Sequence, residues 1–466
     1  MHEEVAEFCL KKTQELGCKY VEVRYEKKSS NGFVLKNGNL EISGFDITNG
    51  VGIRYIINNN IGFVSLNNFD RKNIMSIIKK SVLTTRNSSR ISKSIYLSDE
   101  KKENANYKVH EKEKIKDFTE DRKIKILRNI DNGINKLKQR YLSLGDETTE
   151  KYYVNSEGSR IHSIIPRISL MYFITISKND KSIQKYLPYG ACSGYESIKK
   201  WDLEKKIPEQ VLILENNLAN GIKSKNEKMD LIIGSEVTGI AVHESVGHPY
   251  EADRILGREA AQAGESFINV NMINTKIASN IVNVIEDPTL ENSYGFYLYD
   301  DEGVKARKKY PIKKGMINEF LHNRETAFEL NMKSNGCSRA NNYDVEPIIR
   351  MSNTYVEPGD SSEDEIIKET KKGIYMKSYM QWNIDDKRYH QRYTGSEAYL
   401  IEKGEIKKPV FAPVMEITTP KLWSSIDMIG KKIEMYAGNC GKGEPMQGIP
   451  VYFGGPVMRL KNITIK

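Results

Sequence analysis

No run of this chain approaches 18 uncharged apolar residues, which excludes a membrane-spanning helix. The five cysteines (Cys9, Cys18, Cys192, Cys337, Cys440) are odd in number, far apart and never arranged as CxxC. A disulfide framework and a four-cysteine structural zinc site are therefore both excluded. The first residues, MHEEVAEFCLKK, lack an apolar core and a cleavage site, so no export signal is read there and a reducing cytoplasm is the expected location. Asn49-Gly-Val-Gly52 is glycine-rich, but no GK[ST] follows it, so it does not read as a phosphate loop. Internal repeats and long low-complexity segments are absent.

What is present describes a globular chain. Its 466 residues are 39% hydrophobic and 29% charged, enough for about two to four domains or subdomains. Lys and Arg number 71 against 62 Asp and Glu, a net charge of +9. The surplus is interspersed with acidic residues along the chain, and no nucleic-acid-binding motif accompanies it, so no nucleic-acid partner is expected.

Apolar phasing predicts a helix over His2–Leu16, stopped by Gly17. Short β-rich runs follow at Tyr20–Tyr25, Gly32–Leu35, Gly50–Ile57 and Gly62–Leu66, with turn signals at Asn37-Gly38, Asn49-Gly50 and Asn58–Asn60. Helices are predicted over Asp70–Thr84, Phe118–Leu142 and Trp201–Leu218, and Ser88–Lys114 reads as a surface loop. Strands are expected within Tyr152–Tyr186, turning at Asn155–Gly158, and at Val410–Ile417 and Ile449–Leu460. The expected class is α+β, antiparallel sheets with flanking helices, in two main domains, 1–220 and 221–466.

The most informative run is Ile240-Ala-Val-His243-Glu244-Ser-Val-Gly247-His248-Pro249. Two neutral imidazoles flanking a carboxylate are what a hydrolytic zinc centre needs: ligands from the histidines, proton transfer from the glutamate. With seven histidines in the chain, an H-E-x-x-x-H arises by chance with a probability of roughly 1%. On a regular helix, positions five apart diverge by about 140°, so both rings reach one metal only if the helix is distorted. Gly247 between them and Pro249 after His248 permit that distortion. A third ligand is required; Glu251 and Asp253 are near in sequence, and Cys440, flanked by glycines in Ala437–Gly443, is the remote candidate. Asp300-Asp-Glu302 reads as an acidic turn, with a second cation site as the rarer alternative. Arg324 and Glu325 read equally as substrate contacts or as a structural ion pair.

These residues resemble the TldD/PmbA metallopeptidases. The resemblance runs through Gly50–Tyr55, Gly62–Ser65, Asn155–Gly158, the dense segment His243–Ala260, Phe320–Thr326, Ser338–Ala340, Ile349–Thr354, Glu357–Asp360 and Gly438–Lys442. The H-E-x-x-x-H with a late cysteine marks the TldD-like, metal-binding branch; the TldE-like branch lacks it. The resemblance implies zinc held by His243, His248 and Cys440, with Glu244 as general base. It also implies a cytoplasmic peptidase acting on small or unfolded peptides, as a homodimer or a heterodimer with a TldE/PmbA-like subunit. A non-catalytic partner subunit or a DNA-gyrase-modulator-like regulator is the alternative, against which the intact His243, Glu244, His248 and Cys440 argue.

Overall fold

The computed structural model describes residues 2–88, 94–258, 264–443 and 445–466. Residues 89–93 of the expected Ser88–Lys114 loop, and the last two of the His243–Ala260 segment, lie outside the described residues. The class is α+β with mostly antiparallel sheets.

The N-terminal half is built on one seven-stranded sheet. After helix α1 (His2–Glu15), strands β1 (Tyr20–Lys36), β2 (Asn39–Ile57) and β3 (Asn60–Leu66) form a meander. Helix α2 (Arg71–Ser88), the short strand β4 (Asn104–Lys108) and helix α3 (Glu120–Gly133) come next. Strands β5 (Gln139–Asn155), β6 (Arg160–Lys178) and β7 (Lys181–Ala191) close the sheet, which runs β3-β2-β1-β5-β6-β4 with β7 also on β6. Asn37, Asn58 and Asn59 adopt the left-handed conformation that tight hairpins require and that asparagine tolerates. One apolar cluster places Ala6, Ile74 and Ile78 of α1 and α2 against Val23, Val51 and Ile53. A second packs Leu127 and Ile130 of α3, with Leu214 of a later helix, against Leu142, Leu170 and Ile174.

Three local expectations are corrected. Asn49-Gly50 is not a turn: it lies inside the 19-residue β2, opposite Lys27 and Glu26 of an equally uninterrupted β1. Gly50 answers a packing need, because a Cβ there would lie 2.2 Å from the Tyr343 ring. The loop expected over Ser88–Lys114 contains β4, which pairs in parallel with β6. The helix expected to reach Leu142 ends at Gly133; Ile134 and Leu137 stay buried in the turn that follows, so the apolar phasing outlasts the helix.

Helices α4 (Glu196–Trp201) and α5 (Leu203–Asn220) lead to the C-terminal half. Its eight-stranded sheet contains β8 (Ile222–Lys223) and β9 (Glu227–Ile233), with Lys372–Ile384, His390–Glu402, Glu405–Phe411, Val414–Thr418, Ile426–Ile429 and Met458–Ile465. A six-stranded sheet carries Glu434–Lys442 beside Gln447–Gly455. Between the sheets runs helix α6 (Ser235–Val242), buried at every residue. No helix among the described residues is long and apolar enough to cross a membrane.

Candidate metal centre

Helix α6 passes directly into a π-helical turn, His243–Gly247, and then into a 3-10 turn, His248–Tyr250. The amide of His248 donates to the carbonyl of His243, five residues back. At about 4.4 residues per turn, five residues bring His248 round to within about 50° of His243, against about 140° on a regular α-helix. Local contacts hold this widened turn. Ser245 Oγ donates to the Ala241 carbonyl at 2.6 Å and accepts from the buried Trp423 Nε1 at 2.9 Å. Gly247 leaves room for Met351, whose Sδ lies 1.8 Å from where a Cβ would stand.

Cys440 arrives from the strand Glu434–Lys442, paired with Ile449 across the hairpin. Its Sγ lies 3.3 Å from His248 Nε2, and one donor atom from each of His243, His248 and Cys440 falls within 4.8 Å of the others. Tetrahedral zinc, with bonds of roughly 2.3 Å to sulfur and 2.0–2.1 Å to nitrogen, separates such atoms by about 3.5 Å. All three residues are buried. Burial holds both imidazoles below the ordinary histidine value, with Glu244 near His243 and Cys440 near His248 opposing the shift only in part. For Cys440, burial works against the thiolate, but His248 and Arg350 outweigh it and the thiol is held below its usual value. Neutral imidazoles and a thiolate are zinc-type donors, and the buried His243 Nδ1 has no hydrogen-bond partner among the described residues. The residues therefore fit a metal ion.

Around them stands an ordering layer. Glu251 Oε2 lies 3.1 Å from His248 Nδ1, leaving Nε2 facing Cys440. Burial opposes the charge on Glu251, yet Lys442, His248 and Arg254 together hold its carboxyl well below the usual range. Lys442 Nζ also reaches both oxygens of Asp253 at 2.8 Å. Glu251 and Asp253 thus meet His248 and Lys442, while the three-donor cluster is completed by Cys440. Glu244 Oε2 accepts from Arg388 Nη1 at 2.6 Å. Arg388 comes from the turn between Lys372–Ile384 and His390–Glu402, in left-handed backbone (φ 64°) fixed by Asp385 and by Thr419 Oγ1 on its carbonyl. No motif pointed to Arg388: it stands in an acidic-basic turn remote in sequence from the glutamate it meets.

A cleft of about 820 Å³ opens over these groups. Its walls include Tyr186 and Pro188 of β7, Tyr379 and Trp382 of the long C-terminal hairpin, and Phe453. The other charged candidates are structural. Arg324 is buried, bonded to Glu157 and the Ser98 carbonyl, and Glu325 pairs with Arg258. Asp300 accepts backbone amides of Glu302, Val304 and Ser338; Asp301 meets Lys151, and Glu302 meets Arg54.

Three family models match the chain: PmbA/TldA metallopeptidase domain 1 over residues 21–84, the central domain over 113–215 and the C-terminal domain over 226–466. A metalloprotease from Methanocaldococcus jannaschii is 32% identical over 448 residues, covering 94% of this chain and 95% of that protein. The zinc metalloprotease TldD homolog of Saccharolobus solfataricus is 26% identical over 98% of both chains. Among solved structures, TldE from Thermococcus kodakarensis shares the fold with a TM-score of 0.76 at 16% identity, over 99% of both chains. By sequence and by fold, the chain belongs to the TldD/PmbA metallopeptidase family.

Proposed function

We propose that this chain is a cytoplasmic zinc metallopeptidase that hydrolyses small or unfolded peptides. His243, His248 and Cys440 hold the metal and Glu244 is the general base. The observation that carries this reading is the convergence of two buried imidazoles and a buried thiol on one point beside a carboxylate that is not among the donors. A relative bearing the name zinc metalloprotease supports it. Zinc bound there supplies Lewis acidity, polarising a peptide carbonyl and acidifying water. The protein's own groups do the rest. Glu244 takes the proton of the attacking water and returns it to the leaving amine. Arg388 orients Glu244, and Glu251 fixes the ring of His248. The cleft walls hold an extended peptide strand across the site.

We assign the chemistry to a unit spanning 221–466, with 1–220 forming the facing wall through Tyr186 and Pro188. The working assembly is a dimer, with a second copy or with a TldE-like chain. The exposed Ile42, Phe45 and Ile47 of the β1–β2 hairpin offer apolar surface suited to such a contact. Zinc determination on purified protein, combined with a peptide-library digest, tests the assignment. At least one zinc per chain, lost on Cys440→Ala, with chelator-sensitive cleavage is expected; a chain free of zinc, or cleavage indifferent to chelation, overturns it.

A further inference from the structure

We propose that His2, Glu150 and His162 form a second metal site, remote from the cleft, that takes a divalent first-row transition ion such as zinc. The three residues come from distant parts of the chain: the start of α1, the middle of β5 and the beginning of β6. His162 Nε2 lies 2.9 Å from Glu150 Oε1, and His2 Nε2 lies 3.4 Å from the same oxygen. One donor atom from each residue falls within 4.8 Å of the others. Zinc bonds of about 2.0–2.1 Å to nitrogen and oxygen put tetrahedral neighbours roughly 3.3 Å apart, close to these separations.

Strand geometry explains the convergence. His162 pairs with Tyr152 across the β5–β6 ladder, and Glu150 is two residues further along β5, on the same face. Ser163 and Thr149 point to the opposite face and line an interior cavity. The His2 ring stacks near His162, centroids 5.8 Å apart, and meets Tyr25 at 5.4 Å. Their side chains are 33% (His2), 27% (Glu150) and 19% (His162) exposed, which leaves an ion a path from solvent while shielding it in part. The surroundings favour a cation: Glu3 and Glu7 of α1 lie near Tyr152, and the nearby Arg160 is engaged by Glu7. Two imidazoles and a carboxylate, without a thiolate, make a borderline donor set that suits zinc, cobalt or nickel and leaves a fourth position for water. An ion bound there ties α1 to the sheet, so it stabilises the folded N-terminal half.

Cobalt titration of metal-free full-length protein tests this site apart from the proposed catalytic one. Cobalt on Cys440 gives a thiolate charge-transfer band in the near ultraviolet, whereas cobalt on His2, Glu150 and His162 gives only weak visible bands. The wild type is expected to take two equivalents. His2→Ala and His162→Ala should each lose the equivalent without the charge-transfer band and keep both that band and peptide cleavage. Cys440→Ala should lose the band and keep the other equivalent. His2→Ala truncates a side chain at the first turn of α1, outside the apolar cluster beneath that helix, so it decides the matter even if His162→Ala fails to fold. Metal uptake by His2→Ala equal to the wild type overturns the second site. Absence of the charge-transfer band from the wild type would count against the catalytic reading alone.

Discussion

Glu244 and Glu251 are both buried carboxylates in one short segment, and their partners divide their roles. Glu244 faces the cleft and is held by Arg388, whereas Glu251 faces inward onto His248, Arg254 and Lys442. Glu244→Gln keeps the shape and removes the basicity, so zinc should be retained while kcat falls by about 10²–10⁴, the usual range for general acid–base catalysis. Metal content and kcat measured on the same preparation check this; near wild-type turnover would remove Glu244 from its role. Glu251→Gln leaves the cleft untouched but takes the anionic acceptor away from His248 Nδ1, while Lys442 keeps Asp253 and the Ile349 carbonyl. Metal affinity should fall by about 10–100-fold, the usual cost of losing an outer-shell partner, with turnover at saturating zinc nearly intact. Chelator competition reads the first quantity and kcat at added zinc the second.

At the scale of elements, the π-turn makes the unusual histidine spacing workable, and its weak point is Gly247. A methyl group there would stand 1.8 Å from the Sδ of the buried Met351, so the side chain or the turn must shift. Gly247→Ala should cost about 1–3 kcal/mol by overpacking and should weaken metal binding, because relief of the clash displaces His248. Urea denaturation and metal titration measure the two effects, and an unperturbed variant would mean that the turn tolerates a different path. Part of this element was legible beforehand, since Gly247 and Pro249 permit a departure from the regular α-helix; that it takes the form of a π-turn, with His248 itself still in helical backbone, was not. The helices α1, α2 and α5 were legible too, from phasing and turn residues. The C-terminal β-rich runs were legible but not their division. Val410–Ile417 spans the break between Glu405–Phe411 and Val414–Thr418, and Ile449–Leu460 spans that between Gln447–Gly455 and Met458–Ile465, the latter two lying in different sheets. The rest depended on distant partners. Asn49-Gly50 imitates a turn locally, but Tyr343, far along the chain, is the reason for the glycine. Strand β4 has five residues of weak pattern and exists because β6 offers it an edge. Arg388 has no local signal, because its meaning lies in Glu244, and Cys440 is drawn to His248 only by the pairing of two late strands.

At the scale of the molecule, the two halves meet through polar groups turned inward. Arg54 of β2 joins Glu22 and Glu302, Tyr153 donates to the Glu302 carbonyl, and Arg24 caps the carbonyls of Asn342 and Val345. The acidic turn Asp300–Glu302 is thus a seam between halves. Asp301 carries a pH signature for that seam. Its carboxylate meets Lys151 Nζ at 2.8 Å and the Ala340 amide at 2.7 Å. Burial raises its pKa, but Lys151, Arg24 and these hydrogen bonds prevail and hold it below the ordinary 3.8. A depressed carboxylate adds stability that is fully present above the unfolded-state value and is lost as pH falls through the lower folded-state value. Asp301→Asn keeps the shape and removes the charge, so it should destabilise by about 1–3 kcal/mol, typical of a charge-assisted hydrogen bond lost from a buried position. That deficit should stay constant from about pH 8 to about pH 5 and shrink only below about pH 4, where the wild-type carboxylate begins to protonate. Denaturation of both proteins across this range gives the comparison. A deficit that instead shrinks with rising pH would mean that Asp301 is protonated in the folded state, and the Lys151 pair would have to be redrawn.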